Sequence, residues 1–177
     1  MPADLGAISD LIRVIPDYPI DEVSFGTSRR CSAARPGSAA VTMLADRFRD
    51  HGVTRVIGVE ARGFIIGAPV AVELGAGFVP IRKPGKLPWA VAREEYTLEY
   101  GTDKLEIHRD AIHPDECVLV IDDVLATGGT AAATARLVEA LGGSIAGLGF
   151  ILELGELNGR SKLEGRHVES LITYAGS

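Results

Sequence analysis

Asp122 and Asp123 stand side by side at the end of the aliphatic run Val118 to Ile121, and the small-residue stretch Ala126-Thr127-Gly128-Gly129-Thr130 follows at once. Adjacent carboxylates can accept hydrogen bonds from vicinal hydroxyls or take a hard, oxygen-loving cation such as magnesium. A turn without bulky side chains leaves its backbone N–H groups free to wrap a phosphate, and the dipole of a helix beginning there favours the anion. Acids followed by glycines in this order, VLVIDDVLATGGT, read as a grip for a sugar phosphate. The continuous run Val118 to Ile121 predicts a strand covered on both faces in a parallel sheet. Such a strand delivers the acids to its carboxyl end, the edge at which open α/β sheets bind ligands.

Two further groups suit the same chemistry. Glu60-Ala61-Arg62-Gly63 sits where a predicted strand turns into a helix, so Arg62 can reach across the sheet edge toward an anion. Arg82, Lys83 and Lys86 place three cations in five residues. The chain as a whole carries a formal charge of −6, which argues against a general grip on nucleic acid and for cations focused at one site.

The elements that must position these groups can be read from periodicity and punctuation. Residues 3 to 14 carry apolar groups at helical spacing (Leu5, Ile8, Leu11, Ile12) and are stopped by Pro16 and Pro19, after which an irregular arm is expected. From Ser38, a candidate N-cap, Val41, Leu44, Ala45 and Phe48 form a helical stripe that runs to Gly52. Strands are predicted at 55–59, 78–81, 145–153 and 168–174, and helices at 63–74, 129–141 and 157–163. Residues 83–95 have no apolar period and read as a long loop, and 97–100 with 105–108 as a hairpin. Alternating strands and helices mean an α/β fold with a parallel sheet.

With 177 residues, one domain is expected. Its core spans 38–177, behind a smaller unit at about 1–37. Cys31, Cys117 and the four histidines show no metal-ligand spacing, so neither a disulfide framework nor a zinc site is expected. No apolar run reaches the roughly 18 residues of a membrane span, and MPADLGAISD lacks the basic flank and apolar stretch of a signal peptide, so a cytoplasmic location is expected. No GxGxxG opens a βαβ unit, which sets aside a dinucleotide-dependent oxidoreductase.

The segment Val118 to Thr130 resembles the phosphoribosyl pyrophosphate (PRPP) signature of the type I phosphoribosyltransferases. GVEARGFIIGAPVA, VPIRKPGKLP and LEYG are similar to the adenine phosphoribosyltransferase family, and the match runs from about residue 55 to the end. The resemblance implies a central, mostly parallel sheet flanked by helices, with a small N-terminal hood over the base. It implies Mg²⁺-dependent transfer of 5-phosphoribosyl from PRPP to adenine, giving AMP and pyrophosphate, in a homodimer. On the matching positions, Asp122 and Asp123 would contact the ribose hydroxyls and reach Mg²⁺ mainly through substrate and water. Residues Ala126, Thr127, Gly128, Gly129 and Thr130 would clasp the 5′-phosphate. Arg62, Arg82, Lys83 and Lys86 would offset the charge of pyrophosphate beneath a closing loop, with a cis peptide expected between Ala61 and Arg62. Glu99 is the candidate acceptor of the purine proton, Tyr100 the neighbour of the closing loop, and Ser24, Phe25 and Gly26 the base-contacting positions. Alternatives on the same resemblance are a transferase for another purine and a ligand sensor or regulator that has lost turnover.

One stretch departs from the family pattern. After Phe25 the family reads approximately Arg-Asp-Ile-Ser/Thr-Pro-Leu-Leu with a later Phe, whereas this chain reads GTSRRCSAARPGS over Gly26 to Ser38. The first two codon letters of these residues, read one nucleotide earlier, allow RDISPLLGGPAGF, which restores the pattern at the same length. The hypothesis is that two compensating single-nucleotide shifts bracket Gly26 to Ser38. The present segment has little apolar surface to bury, so poor packing is expected there. Sequencing both strands checks the hypothesis, and a clean in-frame reading on both removes a recording error.

Overall fold

The computed structural model describes residues 6, 13–15, 25–27, 35–98 and 101–175, with side chains described at residue 6 and over 38–96 and 101–175. Five strands, β3 (Arg55–Val59), β4 (Gly77–Ile81), β7 (Cys117–Leu125), β8 (Ser144–Leu154) and β9 (Val168–Tyr174), form one sheet in the order β4-β3-β7-β8-β9. Every neighbouring pair in it is parallel. Helices α1 (Arg35–Phe48) and α2 (Arg62–Leu74) pack on one face, and α3 (Gly129–Ala140) packs on the other with an antiparallel hairpin of β5 (Val91–Leu98) and β6 (Gly101–His108).

Both faces of the central strands are buried, which is why they read as unbroken apolar runs. On β7, Leu119 and Ile121 join Leu44, Phe48, Ile66 and Val70 beneath α1 and α2. Their neighbours Val118 and Val120 point the other way, toward Leu137 and Phe150 respectively. Full burial of each large aliphatic or aromatic side chain contributes about 2 kcal/mol. Of the predicted α1 stripe, Leu44, Ala45 and Phe48 are fully buried and Val41 is partly buried against the same core, and the helix begins at Arg35, ahead of the expected cap at Ser38. Close helix-to-sheet contact needs glycine at two crossings. A Cβ on Gly58 would lie 2.7 Å from the Gly63 carbonyl oxygen, and one on Gly67 would lie 3.2 Å from the Phe78 ring.

Chain connections leave the sheet on opposite faces from the neighbouring strands β3 and β7. From β3 the chain crosses through α2 to β4, and from β7 it crosses through α3 to β8. The crevice between the carboxyl ends of β3 and β7 is therefore a topological switch point.

Several boundaries differ from the sequence reading. Arg13–Ile15 is β1 and pairs with β2 (Phe25–Thr27), so the chain is extended where the amino-terminal helix was expected to continue and where an irregular arm was expected to follow. β7 continues through Asp122 and Asp123 to Leu125, because β8 keeps pairing with it that far. The loop expected over 83–95 ends at Ala90. Charged residues there lie on a regular hairpin, held by the ion pair Lys104–Glu95 on its exposed face and by Arg136–Glu94 on the face toward α3, instead of by an apolar period. The short helix expected at 157–163 is two 3₁₀ turns, Gly155–Leu157 and Gly159–Leu163. Of the stretch Gly26 to Ser38, residues 28–34 lie outside the described residues, and the packing expectation lies there too. Among the described residues, no helix is long and apolar enough to cross a membrane.

Candidate active site

The switch point opens into a cleft of about 250 Å³ lined by Arg62, Lys83, Asp122, Asp123, Tyr96 and the 126–130 turn. Residues more than sixty positions apart in sequence therefore meet at one sheet edge.

Asp123 is buried, and its Oδ2 accepts a 2.5 Å hydrogen bond from Arg62 Nε, the first residue of α2. The Asp123 amide donates to Asp122 Oδ1 at 2.9 Å. Gly63 lets α2 approach this closely, since a Cβ there would lie 2.9 Å from the Ile121 carbonyl oxygen and 3.1 Å from Asp122 Oδ1. The anion that Arg62 reaches in this structure is thus the neighbouring acid. The cis peptide lies at Glu60–Ala61, one bond before the expected position. Ala61 already caps α2 with φ −111° and ψ −30°, so the bond entering Arg62 is part of the helix entry.

Burial, and then the charge of Asp123, push the Asp122 carboxyl well above the ordinary carboxylate range, against the opposing pull of the Asp123 amide and Arg62. A carboxyl raised in the folded state contributes stability that is complete at low pH and is lost as pH rises through its raised value. Asp122→Asn cannot ionise, so it should melt above the unsubstituted protein at pH 8 and match it near pH 4. Thermal unfolding across that range checks this; a gap that widens as pH falls would contradict it.

The 126–130 turn is shaped by an interlock of two glycines. Gly128 caps α3 in the left-handed region at φ 75°, where a side chain is strained. A Cβ on Gly128 would also collide with the Gly159 carbonyl oxygen, and a Cβ on Gly159 would collide with the Ala126 carbonyl oxygen. Gly159, in the second 3₁₀ turn after β8, is the backstop of the turn. Asn158-Gly159 marks a bend in the sequence, but nothing local says what the bend touches.

The cations separate. Lys83 lines the cleft, with its Nζ paired to Asp103. Arg82 is turned onto Glu60 at 3.3 Å and donates through Nη1 to the Lys86 carbonyl at 3.0 Å, while Lys86 itself is exposed. The Lys83 amide, 3.0 Å from Glu60 Oε2, holds the Glu60 carboxyl below its ordinary range, helped by Arg82 against the effect of burial. Tyr96, buried on β5, accepts from Thr130 Oγ1 at 3.1 Å and donates to Asp103 Oδ2 at 3.3 Å. This ties the small-residue turn to the partner of Lys83. Glu60, Tyr96, Asp103 and Gly159 were all missed by the sequence reading, Tyr96 because it falls between the loop expected over 83–95 and the hairpin strand expected from 97, where the structure has one continuous strand.

Ser24, Glu99 and Tyr100 lie outside the described residues. Phe25 and Gly26 lie in β2 and are described as backbone.

Two acidic oxygens at an open cleft suit a magnesium ion that keeps water and phosphate oxygens as its other ligands. Among the described residues no cluster of three or more His, Cys, Asp or Glu offers a protein-only cage. Asp122, partly open to the cleft, and Asp123 are the residues that would face such an ion.

Comparison with known proteins agrees with this geometry. Residues 37–166 match the family profile described as phosphoribosyl transferase domain. An adenine phosphoribosyltransferase of Clostridium perfringens (strain SM101 / Type A) is 53% identical over 169 residues, covering 95% of this chain and 98% of the relative. The crystal structure of adenine phosphoribosyltransferase from Thermoanaerobacter pseudethanolicus superposes with a TM-score of 0.92 at 45% identity, covering 97% of this chain and 100% of that one. The enzyme from Saccharomyces cerevisiae, solved with an imino-altritol bisphosphate and adenine, superposes with a TM-score of 0.87 at 34% identity, covering 95% of this chain and 98% of that one.

Proposed function

Since this chain belongs to the phosphoribosyl transferase family, with adenine phosphoribosyltransferases as relatives over almost its whole length, we propose that it transfers 5-phosphoribosyl from PRPP to adenine, giving AMP and pyrophosphate. The fold is that of the type I phosphoribosyltransferases, and the activity is that of a pentosyltransferase in purine salvage. The observation that carries the reading is the convergence of the acid pair, the glycine turn and Lys83 on one cleft at the switch point.

In this assignment the amides of 126–130 and the amino end of α3 hold the 5′-phosphate, where the backbone donors and the helix dipole both favour an anion. Asp122 and Asp123 receive the ribose hydroxyls and lie beside the anomeric carbon as it gains oxocarbenium character. Arg62 and Lys83 face the departing pyrophosphate, with Arg82 and Lys86 available from the 82–90 loop. Magnesium, when bound, supplies charge neutralisation on the pyrophosphate oxygens. Glu99 is assigned to accept the purine proton as the ring nitrogen attacks, with Tyr100 beside the closing loop and Ser24, Phe25 and Gly26 at the base. Closure of the loop would exclude water, which otherwise hydrolyses the donor. A single catalytic domain behind a hood at about 1–37, a cytoplasmic location and a homodimer belong to the same reading. The exposed Ile65 and Val72 on α2 offer apolar surface for a dimer.

The test is an assay of purified protein with labelled adenine, PRPP and magnesium, run beside guanine, hypoxanthine and xanthine. AMP from adenine alone is expected, together with loss of turnover on chelation and recovery when magnesium is returned. Product from another base instead, or PRPP binding without product, overturns the assignment.

A further inference from the structure

Glu106 lies on β6 outside the cleft lining, yet it is only 1% exposed, and its side chain and backbone bond to the cation-bearing loop and to the strand that loop returns on. Its backbone makes a two-way bridge with Arg82, the residue at which the loop leaves β4: Arg82 N–H donates to the Glu106 carbonyl at 3.0 Å, and Glu106 N–H to the Arg82 carbonyl at 2.8 Å. Its Oε2 accepts from the Gly85 amide at 3.0 Å. Its Oε1 accepts from Arg93 Nε at 2.6 Å, where Arg93 is its register partner on β5.

Departure, turn and return of the loop thus converge on one side chain and its backbone. Gly85 takes φ +74°, a left-handed conformation, in the turn whose amide meets the carboxylate. Lys83, which lines the cleft, stands between the two attachment points at Arg82 and Gly85. A desolvated carboxylate is tolerated only where donors satisfy its oxygens, so this group holds its partners firmly. Nothing in the reaction assigned above uses it.

We propose that Glu106 is a positioning residue: it fixes the root of the 82–90 loop so that Lys83 is presented to the cleft, without itself touching the donor. The inference rests on the phosphoribosyl-transfer reading for its kinetic consequence, but not for its structural one.

Glu106→Gln separates the possibilities. A glutamine has one acceptor oxygen where the carboxylate has two, so its NH₂ must face either the Gly85 amide or Arg93 Nε, and that contact breaks. The expected result is a rise of about tenfold in KM for PRPP and a lower kcat, with KM for adenine within about twofold. Trypsin should also cleave after Lys86, in the loop, about tenfold faster, well below the melting temperature, whereas the bond after Lys83 is shielded by Pro84. The double variant Glu106→Gln/Arg93→Gln returns an acceptor opposite the new NH₂ and should recover much of the loss in both measurements. Arg93→Gln alone changes an exposed side chain, leaves the Gly85 contact, and should give a smaller change of about threefold in tryptic cleavage.

A lower melting temperature with unchanged PRPP kinetics and unchanged cleavage would make Glu106 a stability residue and overturn the inference. If Glu106→Gln does not fold, Arg93→Gln decides, and unchanged cleavage there overturns it equally. A protein that forms no AMP before any substitution defeats the transfer reading instead, and the tryptic comparison then still judges the loop anchor.

Discussion

Replacing Asp123 with asparagine should lower kcat/KM for PRPP about 100-fold, a loss of about 2.7 kcal/mol of transition-state stabilisation, while leaving the fold intact. Asp123 is the buried member of the acid pair and the partner of Arg62 at 2.5 Å, so the substitution removes one negative charge beside the reacting sugar and releases the arginine beside it. Removing one partner of a buried ion pair commonly costs about 3–5 kcal/mol because the other is left uncompensated. Here the Arg62 side chain is 43% exposed and can be rehydrated, so the stability loss should fall below that range. Steady-state kinetics with PRPP varied at saturating adenine, read beside a thermal melt, separate the two effects. Unchanged kcat/KM would remove the acid pair from the reaction.

Gly159→Ala is expected to raise KM for PRPP about 30-fold, which corresponds to about 2 kcal/mol. Its Cβ would occupy the space of the Ala126 carbonyl oxygen, and Gly128 lies directly behind. Both neighbours are backbone, so no side chain can swing aside. Overpacking of this kind costs about 1–3 kcal/mol, taken either as displacement of the 126–130 turn or as loss of fold stability. Ribose 5-phosphate binding by calorimetry distinguishes these, because the turn is assigned to the 5′-phosphate. Weaker binding by a stably folded variant supports the backstop role; binding equal to that of the unsubstituted protein refutes it.

These two residues mark how far the sequence could be read. Asp123 was visible because its setting is local: an aliphatic run, two acids and a glycine turn within thirteen residues. Gly159 was not, because its meaning lies in a contact with Ala126 and Gly128, more than thirty positions earlier. The hairpin shows a related limit. Arg93, Glu94 and Glu95 suggested loop because they carry no apolar period, yet their strand is held by charges on other elements.

By itself the sequence determined the strand and helix order of the parallel sheet and the placement of Asp122 and Asp123 near a strand's carboxyl end. Apolar periodicity and the order of acids and glycines are properties of neighbouring residues, so they survive without coordinates. Only the tertiary structure decided that Lys83 faces the cleft while Arg82 is held by Glu60, that Tyr96 links Thr130 to Asp103, and that Glu106 roots the loop. Each of those depends on which charged or hydroxyl group lies across a gap from which other. Chain crossings at the switch point set those distances, and no local pattern in the sequence encodes them.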